Sequence, residues 1–248
     1  DEIKRRYDVS SLRWTTHGAA PCAPAVKRAM IDWWGPVLHE YYGATETGVV
    51  VWHDSAEALR KPGTVGHVVE GAVLRIVDDK GNDVKQGEVG EIYVRGPHLS
   101  EFTYNNDPGK RREVALGDLV TVGDVGYQDA DGNLYLCDRK RDMVISGGVN
   151  IYPAEIESVL IQMPGVRDCA VFGVPDEEFG EQICAYVEPL GGAGLDAGQV
   201  RAWLAEHVAR YKVPKLVEFS AALPREDSGK IFKRKLRAPY WEKAGRSI

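Results

Sequence analysis

The segment Tyr42-Gly-Ala-Thr-Glu-Thr-Gly48 holds, in one short stretch, groups that bind a phosphate and a hard cation. Residues 37–42 before it predict a β-strand that ends in a glycine turn. Such a turn exposes backbone N–H groups and the Thr45 hydroxyl, which suit a phosphate. One carboxylate, here Glu46, is enough for Mg²⁺, because magnesium takes its other ligands from water and phosphate oxygens. The alternative interpretation is a plain Thr/Glu turn that begins a helix.

A second candidate for chemistry is Lys230, which follows Ser228 and Gly229 near the end of the chain. A lysine at the tip of a loop can move as a compact charge into a cleft. The alternative is that Lys230 belongs to a solvated basic helix with the basic residues that follow it. We keep that alternative for four of them, which are Lys233, Arg234, Lys235 and Arg237.

A third motif is Asp138-Arg-Lys-Arg-Asp-Met-Val-Ile-Ser-Gly-Gly-Val-Asn-Ile-Tyr-Pro153. Its charged cluster, short apolar run and paired glycines predict a hinge that leads into a glycine-containing hairpin. Pro153 suits the first turn of a helix, where its missing N–H costs nothing. The preceding chain is rich in strand patterns, and the following chain predicts a small α+β unit. We therefore expect a joint between two domains here.

These three motifs agree in kind and order with the adenylate-forming superfamily, which contains acyl-CoA synthetases, luciferases and peptide-synthetase adenylation domains. The hinge motif is most similar to that of fatty-acyl-CoA ligases, and the resemblance covers nearly the whole chain. It implies a mixed α/β and α+β fold. An α/β remnant of the large N-terminal domain (1–63) and a β-barrel-like subdomain (64–139) precede a mobile C-terminal α+β domain (140–248). The resemblance places the hinge at Arg141.

The resemblance also implies a role for individual residues. The small residues Gly18, Ala19, Ala20 and Pro21 would lie against an adenine, although a plain strand-to-helix turn also explains them. Tyr42 would stack on the adenine, in a nucleotide site shared with Tyr41, Gly43 and Ala44. Thr45 would contact the α-phosphate and Glu46 would help to hold Mg²⁺. Asp124 would bind the ribose hydroxyls, and Arg139 would add a second contact to the ribose or to a phosphate. Gly147 and Gly148 would line a channel for pantetheine, and Lys230 would contact the substrate carboxylate and the α-phosphate.

The implied function is that of an acid–thiol ligase, which converts a carboxylic acid, expected to be a fatty acid, to its CoA thioester through an acyl-adenylate. The implied cofactors are ATP or AMP, Mg²⁺ and CoA. Three alternatives stay open: a luciferase-like reaction, loading of a carrier protein, and a non-catalytic nucleotide- or CoA-binding module. A homodimer and a cytoplasmic location are further expectations.

Composition restricts the class of protein. A net charge of −6 over 248 residues argues against a nucleic-acid surface that covers the whole protein. No apolar run reaches the roughly 20 residues of a membrane span. The four cysteines lack metal-ligand spacing, so we expect free thiols. The chain lacks a first Met and a Gly/Ser/Thr-rich phosphate loop, and we therefore expect the C-terminal part of a longer enzyme, inactive alone.

Several elements must position these residues. Residues 22–34 predict a helix whose inner face is Val26, Met30 and Trp33 or Trp34. Strands are expected at 73–77 and 90–95, and a calcium-like Asp129-Ala-Asp-Gly-Asn133 segment is better explained as a hairpin turn. The C-terminal domain is expected to hold a three-stranded sheet flanked by helices.

Overall fold

The computed structural model describes residues 4–97, 102–107, 109–227 and 229–245. The chain divides into two compact units, Asp1–Cys137 and Asp138–Ile248. The fold is mixed, as the sequence predicts, with sheets and helices in both units. The finer division at residues 63 and 139 stays a prediction. None of the helices in the described part of the chain has the length and apolar content that a membrane span requires.

The first unit begins with a four-stranded sheet in the order β1-β2-β3-β4. Its elements are β1 (Thr15–His17), α1 (Pro24–Trp34), β2 (Leu38–Ala44), β3 (Gly48–His53), α2 (Ser55–Arg60) and β4 (His67–Val68). β1 and β2 run parallel, so the loop after β1 and the turn after β2 leave the same edge of the sheet. That edge, at the carboxyl ends of parallel strands, is where ligands bind in open α/β sheets.

The predicted inner face of α1 is wrong. Val26 is 50% exposed, whereas Lys27 and Ile31 are the buried residues of this helix. The Lys27 ammonium forms a buried ion pair with Glu40 of β2 and donates to the carbonyl oxygen of Thr64 at 3.2 Å. A buried ion pair, together with the buried Ile31, therefore holds the helix against the sheet.

Glu40 joins three elements at this point. Its Oε2 also lies 2.7 Å from Nε2 of His53 on β3, and its Oε1 lies 3.7 Å from Nε2 of His17 on β1. Burial alone would raise the pKa of Glu40, but the hydrogen bond with His53 and the charge of Lys27 lower it on balance. The carboxylate is thus stabilised in its ionised form.

The rest of the first unit forms a six-stranded sheet in the order β10-β9-β6-β8-β7, with β5 on β6. Its elements are β5 (Val73–Val77), β6 (Gly90–Arg95), α3 (Lys110–Glu113), β7 (Ala115–Leu116), β8 (Leu119–Val120), β9 (Asp124–Gln128) and β10 (Leu134–Arg139). β5 and β6 lie where the sequence predicts them. A buried cluster of Val50, Val51, Ile92, Val94 and Leu134 packs this sheet against the first one.

The calcium-like segment is a turn between β9 and β10, as predicted. Lys61 occupies the place of a cation, because its ammonium donates to Asp129 at 3.1 Å and to Asp131 at 2.5 Å. Within the described residues, no group of three or more His, Cys, Asp or Glu side chains could hold a metal ion. An internal lysine therefore neutralises this turn.

The second unit contains a five-stranded sheet in the order β12-β11-β14-β13, with β15 on β14, rather than the predicted three strands. Its elements are β11 (Val144–Ser146), β12 (Val149–Ile151), α4 (Pro153–Leu160), β13 (Val166–Asp176), β14 (Gly180–Pro189), α5 (Ala197–His207), β15 (Leu216–Phe219) and α6 (Lys233–Lys243). The glycine hairpin β11–β12 accounts for the difference. It joins the sheet through pairing of Ser146 with Gly180, a contact that local sequence does not reveal.

Helices cover both faces of this sheet. Val171 and Cys169 of β13 pack with α4 and α5, whereas Phe172 and Val174 pack with Leu236 and Tyr240 of α6. The prediction of a solvated basic helix is wrong for Lys233 and Arg237. Their side chains are 25% and 15% exposed, and they pair with Glu157 at 2.8 Å and Asp142 at 3.8 Å. These pairs attach α6 to α4 and to the hinge motif.

We predict that Glu40→Gln lowers the free energy of unfolding of the first unit by about 3–5 kcal/mol, because it leaves the Lys27 charge buried without a counter-ion. Urea denaturation at pH 7 measures this loss. The folded pKa of Glu40 is lowered, so its stabilisation is complete above the unfolded value of about 4.3 and is lost as pH falls through the folded value. The difference between wild type and variant should therefore shrink in acid.

Asp83→Asn is the matched control, because it removes the carboxylate of the exposed pair with Arg75. No measurable change is expected for it, since exposed ion pairs contribute little. Equal stability of wild type and Glu40→Gln would show that the Lys27–Glu40 pair does not hold α1 on the sheet.

Candidate active site

Strand β2 carries two neighbouring tyrosines to opposite faces of its sheet. The Tyr42 side chain is buried, and its hydroxyl donates to Oδ2 of Asp124 at 2.8 Å. Asp124 is the first residue of β9, which belongs to the six-stranded sheet. Two predicted site residues 82 positions apart in sequence are thus joined by one hydrogen bond. The bond fixes the carboxylate at the carboxyl end of β2.

Tyr41 lies on the other face, against the loop after β1. A Cβ atom built on Gly18 would lie 2.5–2.8 Å from three ring carbons of Tyr41, so only glycine allows this approach. The ring that meets the Gly18 backbone in this structure is therefore that of Tyr41. The next residue, Ala19, has φ of +67°, a strained conformation for a residue with a side chain. Ala20 and Pro21 follow as exposed residues before α1.

The turn after β2 is a β-hairpin turn into β3 and not the start of a helix, which excludes the alternative interpretation of this motif. The Thr47 hydroxyl accepts from the Ala44 N–H at 3.0 Å and donates to the Gly48 carbonyl at 3.0 Å. A Cβ atom on Gly43 would collide with the Gly48 carbonyl oxygen. Thr47 thus closes the turn from inside, while Thr45 stands exposed at its tip.

Glu46, the predicted magnesium ligand, is half-buried in the same turn. Its Oε1 accepts a hydrogen bond from the Tyr104 hydroxyl at 3.0 Å. Burial, and then the hydrogen bond to Glu46, raises the pKa of Tyr104. This bond orients the carboxylate and gives Oε1 a partner. A single oriented carboxylate fits an ion that is otherwise held by phosphate oxygens and water.

In the second unit, the hinge motif is attached to the helix that follows it. Asp138 Oδ2 accepts from the Ala154 N–H at 2.9 Å, at the first turn of α4. Its pKa is raised by burial, which outweighs the charge of Lys233. Arg139 ends β10 as an exposed residue. The predicted hinge residue Arg141 is 73% exposed in a short 3₁₀ turn over Lys140–Asp142.

The paired glycines form the tip of the β11–β12 hairpin. Gly147 and Gly148 have φ of +57° and +79°, the left-handed region in which a side chain is strained. A Cβ atom on Gly147 would approach the Phe179 ring to 3.0 Å, whereas one on Gly148 would meet no atom within 4 Å. The turn conformation therefore gives a reason for both glycines that is independent of any ligand.

Lys230 lies in a tight loop before α6. The Glu226 N–H donates to the Lys230 carbonyl at 2.8 Å, and the Gly229 N–H donates to the Glu226 carbonyl at 2.8 Å. Ser228 of the same motif lies outside the described residues. Arg225 contacts this loop through its guanidinium, which donates to the Gly229 carbonyl at 2.9 Å.

The structure thus brings the loop at 18–21, the tyrosines of β2 and Asp124 together in the first unit. Arg139, Arg141, Gly147, Gly148 and Lys230 belong to the second unit. The functional assignments of all these residues stay predictions. Sequence reasoning missed Tyr104, Thr47 and Arg225. Only Thr47 had a local signal, since it lies inside the predicted turn.

Comparison with known proteins agrees with this arrangement. The family model described as AMP-binding enzyme matches residues 1–102, and the model described as AMP-binding enzyme C-terminal domain matches residues 155–230. An indoleacetate–CoA ligase from Aromatoleum aromaticum is 43% identical over 93% of this chain and 45% of its own length. A medium/long-chain-fatty-acid–CoA ligase, FadD8, from Mycobacterium tuberculosis is 35% identical over 97% of this chain and 44% of its own length.

Among solved structures, the amide bond synthetase McbA from Marinactinospora thermotolerans matches with a TM-score of 0.88 and 35% identity. That match covers 95% of this chain and 49% of the synthetase. The chain spans about half the length of the relatives it matches. Two models of one family match more than half of the chain, in the order that the motifs predict. The chain therefore belongs to the AMP-binding, adenylate-forming enzyme family.

Proposed function

We propose that the complete protein carrying this chain is an AMP-forming acyl-CoA ligase, with ATP, a carboxylic acid and CoA as substrates. The observation that carries this proposal is the hydrogen bond from Tyr42 to Asp124. It presents an oriented carboxylate beside the β2 turn, which suits both hydroxyls of a ribose next to a phosphate site. The thiol-ligase names of both curated relatives support the choice of CoA.

In the first step the substrate carboxylate attacks the α-phosphorus of ATP, and pyrophosphate leaves. Thr45 donates to the α-phosphate from the tip of the turn, and Lys230 offsets the negative charge that gathers on the phosphorus oxygens. Glu46, oriented by Tyr104, would hold magnesium. When bound, that ion supplies further neutralisation of the phosphate charge.

In the second step the CoA thiolate attacks the acyl carbon of the adenylate, and AMP leaves. Rotation about Arg141 would remove Lys230 from the site and bring in the hairpin tip at Gly147 and Gly148. Arg141 suits a pivot, because its side chain is exposed and its described ion pair is with the neighbouring Asp142. The hairpin tip suits a narrow channel, because Gly148 leaves open space where a Cβ atom would lie.

We predict that Asp124→Ala weakens AMP binding at least tenfold, because it removes charge-assisted hydrogen bonds to the ribose. Tyr42→Phe should weaken it less, since the carboxylate stays but loses its orienting partner. Isothermal titration calorimetry with AMP measures both. Asp118→Ala, which removes an exposed carboxylate paired with Arg95, should bind as wild type. Unchanged affinity in Asp124→Ala would refute the nucleotide site.

We further predict that Lys230→Ala and Arg141→Pro separate the two half-reactions in the complete protein. Lys230→Ala should slow adenylation by about 10²–10³, as the loss of one preorganised charge does, and should spare thioester formation from prepared acyl-AMP. Arg141→Pro should spare adenylation and slow thioester formation, because proline fixes the φ angle that a hinge must change. Pyrophosphate release and CoA consumption are measured separately.

Two variants serve as controls for this experiment. Lys235→Ala removes an exposed cation of α6, and Arg141→Ala keeps the hinge torsion free. Both should leave the two half-reactions near wild type. A comparable drop of both half-reactions in Lys230→Ala would contradict a two-pose mechanism.

The acyl substrate has two candidates. Resemblance of the hinge motif favours a fatty acid. The face of β2 that carries Tyr41 favours an aromatic acid, because Tyr41, Trp52, His39 and Trp14 form a row of rings. Trp14 stacks on His39 at 3.6 Å between ring centroids, and Tyr41 lies 6.5 Å from Trp52. Flat aromatic acids stack on such rings, whereas an alkyl chain gains no such geometry.

We predict that the complete protein shows a higher kcat/KM for indole-3-acetate than for decanoate. Tyr41→Ala should lower the ratio of the indole-3-acetate value to the decanoate value at least tenfold. Tyr41→Phe keeps the ring and should keep the ratio. A higher kcat/KM for decanoate that Tyr41→Ala leaves unchanged would assign the fatty acid instead.

The same assays test the remaining alternatives. Acyl-dependent pyrophosphate release without CoA consumption indicates a luciferase-like reaction or a carrier protein as acceptor. AMP binding without pyrophosphate release indicates a non-catalytic module. Magnesium dependence, a homodimer and a cytoplasmic location stay predictions.

A further inference from the structure

The loop that presents Lys230 is supported from one side by a single guanidinium. Arg225 and Ile231 form an antiparallel bridge across the base of the loop. Inside it, Gly229 has φ of +85°, so the backbone turns sharply directly before Lys230. Arg225 Nη1 donates to the carbonyl oxygen of this glycine at 2.9 Å. The contact therefore acts on the peptide group that links Gly229 to Lys230.

The other end of the guanidinium is fixed to the sheet. Arg225 Nη2 donates to Oδ2 of Asp168 in a short charge-assisted hydrogen bond. Asp168 belongs to β13, and its Oδ1 accepts from the Cys169 N–H at 2.8 Å. Cys169 and Ala170, which follow, are buried in the core of the second unit. A continuous polar path thus runs from β13 through Arg225 to the backbone before Lys230.

We propose that Arg225, held by Asp168, is a positioning residue for Lys230 in the adenylation step. The inference rests on the proposed function, because it assumes that Lys230 acts on the α-phosphate. Lysine carries its charge on a flexible stem, so the placement of its backbone limits where the ammonium can reach. A displacement of about 1 Å at a reacting group can cost about 10²-fold in rate. Arg225 removes that freedom by fixing the Gly229 carbonyl.

The test is a double-mutant cycle in the complete protein. Arg225→Gln should lower kcat of adenylation about tenfold, with KM for ATP changed less than twofold, and should leave thioester formation from acyl-AMP unchanged. In the Lys230→Ala background the same substitution should cause no further loss, because there is no ammonium left to position. Asp168→Asn should reproduce the effect of Arg225→Gln in part.

Arg167→Gln is the matched control, since it removes a neighbouring arginine of β13 whose ion pair in the described part of the chain is with Glu188. Amide hydrogen exchange gives a readout besides activity. The N–H groups of Glu226 and Gly229 should exchange faster in Arg225→Gln than in Arg167→Gln, with equal melting temperatures.

The outcomes separate the inference from the proposed function. Normal adenylation in Lys230→Ala would overturn the role of Lys230 and the inference with it. Slow adenylation in Lys230→Ala, together with a normal rate in Arg225→Gln, would overturn the inference alone. An equal further loss from Arg225→Gln in the Lys230→Ala background would also overturn it, because the effect would then not pass through Lys230.

Discussion

The buried carboxylate of Glu40 is the constraint on which the first unit depends. It is ionised inside the protein, and it holds Lys27 of α1 and His53 of β3 to the middle of β2. Because a buried charge is tolerated only with its partners in place, the helix and the two strands have one relative arrangement. The strand that Glu40 fixes is also the strand that carries the candidate site. The position of Tyr41 and Tyr42 is therefore set in part by an ion pair that lies beneath them in the same strand.

Two consecutive residues of this strand face opposite sides of the sheet, because side chains alternate along a β-strand. Tyr42 faces the six-stranded sheet and orients Asp124, while Tyr41 faces the loop after β1 and the aromatic row. One backbone segment in this way orients a carboxylate on one side and adds a ring to an aromatic row on the other. Strand β13 of the second unit also uses both of its faces. It packs against α4 and α5 on one face and against α6 on the other.

Local patterns in the sequence predicted the elements whose signal is local. β5, β6 and the helix that begins at Pro153 agree with the structure. The inner face of α1 could not be predicted, because periodicity counts apolar residues and Lys27 is buried by a partner 13 positions away. The Tyr104–Glu46 contact spans 58 positions and has no local signal. The motifs supplied the candidate site residues, whereas packing decided the partners of those residues.

The boundary between the two units falls inside β10, between Cys137 and Asp138, so no loop separates them. β10 runs to Arg139, a single 3₁₀ turn covers Lys140–Asp142, and β11 begins at Val144. A segment this short has few torsion angles, so any change of orientation must be concentrated in them rather than spread along a flexible tether. The second unit cannot diffuse away from the first. Under the proposed function, the exchange between two poses would therefore be limited by rotation about these few bonds instead of by a search through solution.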